Sequence, residues 1–139
     1  MEARIYSEDP SNNFLPGSGV IEVLREPTEI QDLIRIDTGV RQGDEISTFY
    51  DPMISKLIVA APDRDQAIRS LYSALEDYKV VGLPTNINFL KKVLLNKDFQ
   101  AGNFDTSFIA QNEEELFGAK QDETDSFLKA QLAVAEVWL

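Results

Sequence analysis

Few side chains in this sequence could carry chemistry. It contains no histidine and no cysteine, which removes imidazole bases, thiol nucleophiles, disulfides and the usual zinc or copper ligands together. Any reaction falls to carboxylates, lysines, arginines or a cofactor. The run Ile34-Arg35-Ile36-Asp37-Thr38 alternates apolar and polar residues, so on a strand Arg35 and Asp37 share one face and the isoleucines the other. By residue type alone the two charges read as a solvated surface pair. Asp51 and Lys56 could be an acid and a base, but they read more simply as a structural ion pair at a strand corner. Glu8-Asp9 offers two carboxylates, yet adjacent strand residues point to opposite faces and Pro10 and Asn12 mark a turn, so no metal is assigned. Gly17-Ser18-Gly19 and Gly82 fit neither GxxxxGK[ST] nor GxGxxG, and no lysine or helix start follows them. Arg64, at the opening of a helical pattern, reads as a solvated helix arginine.

The elements that must position these residues are two kinds of periodic segment. Strands are expected near Ala3, Glu22, Arg35, Thr48 and Ile58. Ile34 to Tyr50 is expected to form a hairpin turning at Gly43-Asp44, with Asp51-Pro52 ending the pairing. A helix is expected from Asp63 or Asp65 to Tyr78, because Ala67, Ile68, Leu71, Ala74, Leu75 and Tyr78 recur at three and four residues. Lys79-Val80-Val81-Gly82 suits a short strand. A second helix is expected from 85 to 96, with Thr85 as its N-cap. Phe99 to Ile109 reads as an irregular segment whose aromatic rings close the edge of the core.

The chain has 139 residues and 43% hydrophobic content, enough for one domain with a real core and too few for two ordinary ones. Lys+Arg 13 against Asp+Glu 24 gives a net charge of −11, and no basic patch stands out, so nucleic acid and anionic membranes are not expected partners. No apolar run approaches the roughly 20 residues a bilayer-spanning helix needs. The first strand begins without a turn or cap and the last residues, Val137-Trp138-Leu139, are among the most apolar. Both ends therefore read as cuts within a longer chain.

RIDTGVRQGDEIS, YDPMISKL, DRDQAI, ALEDY and VVGLPTN, in this order and spacing, resemble the C-terminal subdomain of biotin carboxylases, the half-reaction unit of biotin-dependent acyl-CoA carboxylases. The resemblance runs from ARIYSEDP to GNFDTSFI. It implies that Arg35, in an R-x-[DE]-[ST] strand, is catalytic and lies beside the ureido ring of biotin. There ATP and bicarbonate form carboxyphosphate, phosphate takes the biotin ring proton, and an enolate oxygen needs a fixed cation. A guanidinium supplies one with no risk of deprotonation. The resemblance also implies a subunit-contact position for Arg64 and a structural role for the Tyr50-Asp51-Pro52-Met53 corner. The family's ATP-grasp glycine loop, its nucleotide and Mg²⁺ ligands and its biotin-carrying AMKM lysine match nothing here. DPSNNFLPGSG and AGNFDTSFI are most similar to the 3-methylcrotonoyl-CoA carboxylase type, then to the propionyl-CoA type. Ser7 and Ala60-Ala61 depart from the usual pattern, away from Arg35.

The expectation is thus an α+β fold, an antiparallel β-sheet with two packed helices plus a C-terminal helix. Residues 1–110 would be the biotin carboxylase C-terminal subdomain, 111–124 an acidic linker, and 125–139 the start of a following helical segment. Implied cofactors are biotin and, bound mostly by residues outside this chain, ATP, Mg²⁺ and bicarbonate. Implied partners are an upstream ATP-grasp domain, a biotin carrier domain and a carboxyltransferase subunit, in the mitochondrial matrix of a eukaryote or the cytoplasm of a bacterium. The isolated piece would be inactive. Competing readings are a propionyl-CoA or acetyl-CoA carboxylase subunit, or an acidic interaction module without chemistry. An enzyme subdomain should leave an incomplete cleft with Arg35 at its lip, and a binding module should be closed on all sides.

Overall fold

The computed structural model describes residues 1–118. Its centre is a three-stranded antiparallel sheet of β1 (Glu2–Tyr6), β8 (Met53–Val59) and β6 (Ile34–Thr38), in the order β1-β8-β6. Four short strands frame its approaches: β2 (Glu8–Asp9) pairs with β3 (Leu15–Pro16), and β4 (Gly19–Val20) with β7 (Glu45–Ile46). A further ladder joins β5 (Val23–Arg25) to β9 (Lys79–Val81). The helices are α1 (Arg64–Asp77), α2 (Ile87–Leu95), α3 (Lys97–Ala101), α4 (Phe108–Gln111) and α5 (Glu113–Phe117).

The fold class is α+β with antiparallel pairing, as the alternation of periods implied, but the sheet is not the five-stranded one expected. β6 pairs with β8, Arg35 opposite Ile58 and Asp37 opposite Lys56, and does not form a hairpin with Ile46 to Tyr50. The Gly43-Asp44 turn exists: Gly43 has φ 92° and the Asp44 carboxylate accepts the Arg41 N–H at 2.8 Å. The chain leaving it pairs with Gly19 and Val20 instead. Residues 47–52 form no strand, and Phe49 and Tyr50 are 91% and 83% exposed. The strand near Glu22 likewise belongs to the ladder with Lys79–Val81, outside the central sheet.

One face of the sheet is covered. Ala3, Ile5, Leu57 and Val59 are buried against Ile68, Leu71, Ala74, Leu75 and Tyr78 of and beside α1, and against Ile87 and Leu94 of α2. Each of the larger side chains contributes about 1.5–3 kcal/mol by leaving water. Asp63 caps α1 by accepting the Gln66 N–H at 2.8 Å, and the hydrogen bonds from Gln66 hold its carboxyl below the ordinary value. Glu76 and Lys91 tie α1 to α2 at 2.5 Å.

The second helix begins at Ile87, and Thr85 does not cap it. Asn86 takes the position before it and spends its side chain on β1, described below. Asn96 ends α2 and caps α3, its Oδ1 accepting the N–H groups of Asp98 and Phe99 at 3.0 and 3.1 Å. The segment expected to be irregular is so from 102 to 107, between the end of α3 and the start of α4, with Phe99, Phe104 and Phe108 in mutual contact at ring separations of 5.1 to 6.2 Å. Residues 111–118 do not behave as a linker. α5 packs on α2, Leu116 is 1% exposed, and the Asn96 amide donates to Asn112 and Glu115, both at 2.9 Å. The helix expected over 125–139 lies outside the described residues.

Candidate functional site

The other face of the central sheet is open. In register across the three strands stand Glu2, Ile58 and Arg35 in one row, and Arg4, Lys56 and Asp37 in the next. Glu2, Arg4, Arg35 and Asp37 are exposed and Lys56 and Ile58 half-buried, whereas Ala3, Leu57 and Val59 on the opposite face are buried. Period two on each strand produces this division: all charges go to one side and the apolar row to the helices. The register slips between Ile5 and Tyr6, so the regular charged rows end there.

Arg35 and Asp37 do share a face, and Arg35 Nη2 donates to Asp37 Oδ2 at 3.0 Å. The Arg35 side chain is 69% exposed, so it is both oriented by a neighbour and open to a ligand. Arg4 is held in the same way by Glu2, at 2.9 Å. A guanidinium so placed can donate a planar pair of N–H groups to an oxygen that becomes negative.

Asp51 and Lys56 form no ion pair. The Asp51 carboxylate folds back at the proline corner to accept the Met53 N–H at 3.0 Å. Five residues of extended chain, at about 3.3 Å each, carry Lys56 roughly 16 Å away. Lys56 lies instead on the open face, between Arg4 and Asp37. Asp51 approaches Glu8, whose carboxyl is raised first by burial and then by the Asp51 charge. The neighbouring Asp9 is taken up by Ser11, whose N–H and hydroxyl reach Oδ1 at 3.0 and 2.6 Å. The glycines of the discarded phosphate-loop pattern serve backbone packing: at Gly82, with φ 112°, a Cβ would fall 2.1 Å from the Val20 carbonyl oxygen.

Arg64 turns inward along its own domain. Its guanidinium donates to the carbonyls of Phe99 and Gln100 at 2.5 and 3.2 Å and lies 5.0 and 5.6 Å from the ring centroids of Phe99 and Phe104. It thereby satisfies carbonyls at the end of α3.

Three residues support the sheet through hydrogen bonds that no local pattern in the sequence announces. Asn86, 7% exposed, accepts the Tyr6 N–H and donates to the Arg4 carbonyl, at 2.9 and 3.0 Å. Ser55 and Tyr78, both buried, share a 2.8 Å hydrogen bond that continues to Glu26. A polar residue inside an apolar run, as in Met53-Ile54-Ser55, was the available signal, but its partner 23 positions away was not legible.

Known proteins carry the same arrangement of elements. A sequence model of the biotin carboxylase C-terminal domain matches residues 2–111. The chain is 47% identical over 127 residues to the mitochondrial methylcrotonoyl-CoA carboxylase subunit alpha of Dictyostelium discoideum, covering 91% of this chain and 18% of that protein. It is 50% identical over 115 residues to the corresponding subunit of Rattus norvegicus, covering 83% and 16%. Among solved structures, the biotin carboxylase domain dimer of Hydrogenobacter thermophilus 2-oxoglutarate carboxylase, in complex with MgADP, ADP and bicarbonate, superposes with a TM-score of 0.80 at 36% identity. That match covers 86% of this chain and 26% of the other. The biotin carboxylase subunit of a pyruvate carboxylase superposes with a TM-score of 0.79 at 36% identity, covering 87% and 26%. The chain therefore spans less than a fifth of the curated relatives it matches, and within that span it belongs to the biotin carboxylase C-terminal domain family.

Proposed function

We propose that this chain is the C-terminal part of a biotin carboxylase that carboxylates enzyme-linked biotin with ATP and bicarbonate, within a carboxylase of the 3-methylcrotonoyl-CoA type. The observation that carries the reading is Arg35: 69% exposed on an uncovered sheet face and held there by Asp37 at 3.0 Å. The face is an incomplete wall with the guanidinium at its lip, which favours an enzyme subdomain over an interaction module closed on all sides. Arg35 would stand beside the ureido oxygen of biotin, where the N–H fork stabilises negative charge as it develops. Biotin, when bound, supplies the ring nitrogen that becomes carboxylated.

The residues present suit that part of the chemistry and not the nucleotide's. By its likeness to the biotin carboxylase family, ATP and Mg²⁺ are assigned to an upstream ATP-grasp domain. A biotin carrier domain and a carboxyltransferase subunit complete the enzyme, in the mitochondrial matrix if the source is eukaryotic. The same reading puts Arg64 at a contact with another subunit, where it would have to keep or exchange its two carbonyl partners. Residues 1–110 remain the assigned subdomain, with α5 an extension packed upon it.

The test is biotin-dependent turnover by the complete carboxylase with Arg35→Ala, beside its thermal stability. Lost turnover in a normally stable protein is the expected result. Normal turnover would remove the reading.

A further inference from the structure

The two outer edges of the central sheet are treated differently. On β6 the chain covers its own edge. Ile30 accepts the Ile34 N–H at 2.8 Å and donates to the Ile34 carbonyl at 3.1 Å, and the Glu29 carboxylate accepts the Ile36 N–H at 2.9 Å. On β1, the Met1 amine donates to the Val59 carbonyl at 2.7 Å and the Val59 N–H to the Met1 carbonyl at 2.9 Å. Met1, Ala3 and Ile5 therefore turn their main-chain groups to β8, and Glu2, Arg4 and Tyr6 turn theirs outward. Asn86 satisfies the Tyr6 N–H and the carbonyls of Arg4 and Tyr6. The Glu2 N–H, the Glu2 carbonyl and the Arg4 N–H have no partner among the described residues, and both residues are exposed. An open row of this kind is a template for another strand, and natural proteins rarely leave one uncovered.

A groove of about 410 Å³ runs along the same stretch. Met1 to Arg4 form its rim, and its floor is apolar: Leu71 and Leu75 of α1, Leu90, Val93 and Leu94 of α2, and Phe99 of α3. A dry cavity of ~150 Å³ already holds a benzene, so several aliphatic side chains fit here. A strand laid beside β1 would send every second side chain down onto that floor and the others to the open face beside Arg4 and Glu2.

We propose that the Glu2–Arg4 edge and this groove together receive an extended segment of alternating apolar and polar residues from the upstream part of the same polypeptide. The three-stranded sheet is four-stranded in the complete subunit. An edge that must stay closed needs a cover present once in every molecule, which the same chain supplies. The matched relatives have room for it, since this chain spans 18% and 16% of two of them. Met1 lies on the rim, so a segment preceding it enters at the groove. A second copy fits poorly, because its own β1 would bring Ala3 and Ile5 over the groove. Those side chains are buried against their own helices, and the floor would stay unfilled. The proposal rests on reading this chain as the C-terminal part of a longer carboxylase, and not on the role of Arg35.

Amide hydrogen exchange, read residue by residue, compares the 139-residue chain with the complete subunit. In the chain, Glu2 and Arg4 should exchange freely while Tyr6, bonded to Asn86, is protected. In the complete subunit Glu2 and Arg4 should slow by about a hundredfold. Free exchange of both in a complete subunit that carboxylates biotin would overturn the proposal and leave the carboxylase reading intact. Protection in the isolated chain that grows with its concentration would also overturn it, by making the occupant a second copy. Glu2→Pro removes an outward N–H that β8 does not use, and Leu90→Glu puts a charge on the groove floor. Either should release the Arg4 amide in the complete subunit, whereas Glu2→Ala, which loses only the ion pair with Arg4, should not. An Arg4 amide equally protected in Glu2→Pro and Leu90→Glu would remove the added strand. Protection at Glu2 and Arg4 beside full turnover by Arg35→Ala would keep the strand and end the biotin role of Arg35.

Discussion

Asn86 completes the outer edge of the sheet for Tyr6. Its side-chain oxygen accepts the Tyr6 N–H at 2.9 Å, its amide donates to the Arg4 carbonyl at 3.0 Å, and its own N–H reaches the Tyr6 carbonyl at 3.2 Å. A residue at the start of α2 thus imitates a neighbouring strand where β1 has none. An unpaired edge in this half-buried setting would leave donors and acceptors without water or partner.

Asn86→Ala should therefore destabilise the chain by about 1–3 kcal/mol, since it strands the Tyr6 N–H and the Arg4 carbonyl. Asn86→Asp should be worse than a mere loss of one bond, because it turns an acceptor toward the Arg4 carbonyl. Urea unfolding midpoints of the three proteins would show the order. An aspartate variant as stable as the original would mean that the contact with Arg4 contributes nothing.

A second expectation concerns alkaline pH. Burial, offset in part by Ser55 and reinforced by Glu26, pushes the Tyr78 phenol from 10.0 up to about 12. The folded state holds this proton more tightly than the unfolded one, so the contribution to stability is fully present below pH 10. It is lost as the pH rises through about 12. Two units correspond to roughly 2–3 kcal/mol. Tyr78→Phe should lack this component, so the difference between the two stability curves should shrink from pH 10 to 12. A constant difference over that range would show that the phenol ionises as readily in the folded chain as in the unfolded one.

Local patterns were legible in the sequence where local forces decide the structure. The stripe Ala67, Ile68, Leu71, Ala74, Leu75 became the buried face of α1, and the alternation around Arg35 put it on the outer face of β6. Pairing was less legible, because partner choice is a long-range outcome. Gly43-Asp44 gives the turn that its residues favour, yet Ile46 meets Gly19 rather than its neighbour in sequence. Lys56 illustrates the same limit at the site. A lysine close to an aspartate and a proline suggests an ion pair, but the Asp51 carboxylate finds a nearer donor in the Met53 N–H and the strand carries Lys56 away. Asn96 and Glu115 show it once more: an acidic, glycine-bounded stretch resembles a linker until a buried amide 19 positions earlier is found to need its carboxylate.

The 139-residue chain alone should neither hydrolyse ATP in the presence of bicarbonate nor carboxylate free biotin. Arg35 can stabilise charge, but it cannot position a nucleotide, and the described residues gather no carboxylate set for its magnesium. Purified chain incubated with ATP, Mg²⁺, bicarbonate and biotin should release phosphate at the background rate. Release proportional to chain concentration and dependent on bicarbonate would contradict the division of labour assigned here.

In the complete carboxylase, Arg35→Ala should slow the chemical step by about 10²- to 10³-fold, the usual loss for one donor aimed at developing negative charge. The fold should survive, because the side chain is exposed and its partner Asp37 is 49% exposed and can be solvated when left alone. Arg35→Lys should recover only part of the rate. An ammonium at that position keeps the charge but loses the two-pronged donation and the geometry that Asp37 fixes. Asp37→Ala gives an independent check of that orientation, with kcat expected to fall less than in Arg35→Ala and ATP affinity expected to stay constant. Turnover, melting temperature and ATP binding measured on all three variants separate the possibilities: a rate lost in parallel with stability would make Arg35 a structural residue, and a rate fully restored by lysine would reduce its role to charge alone.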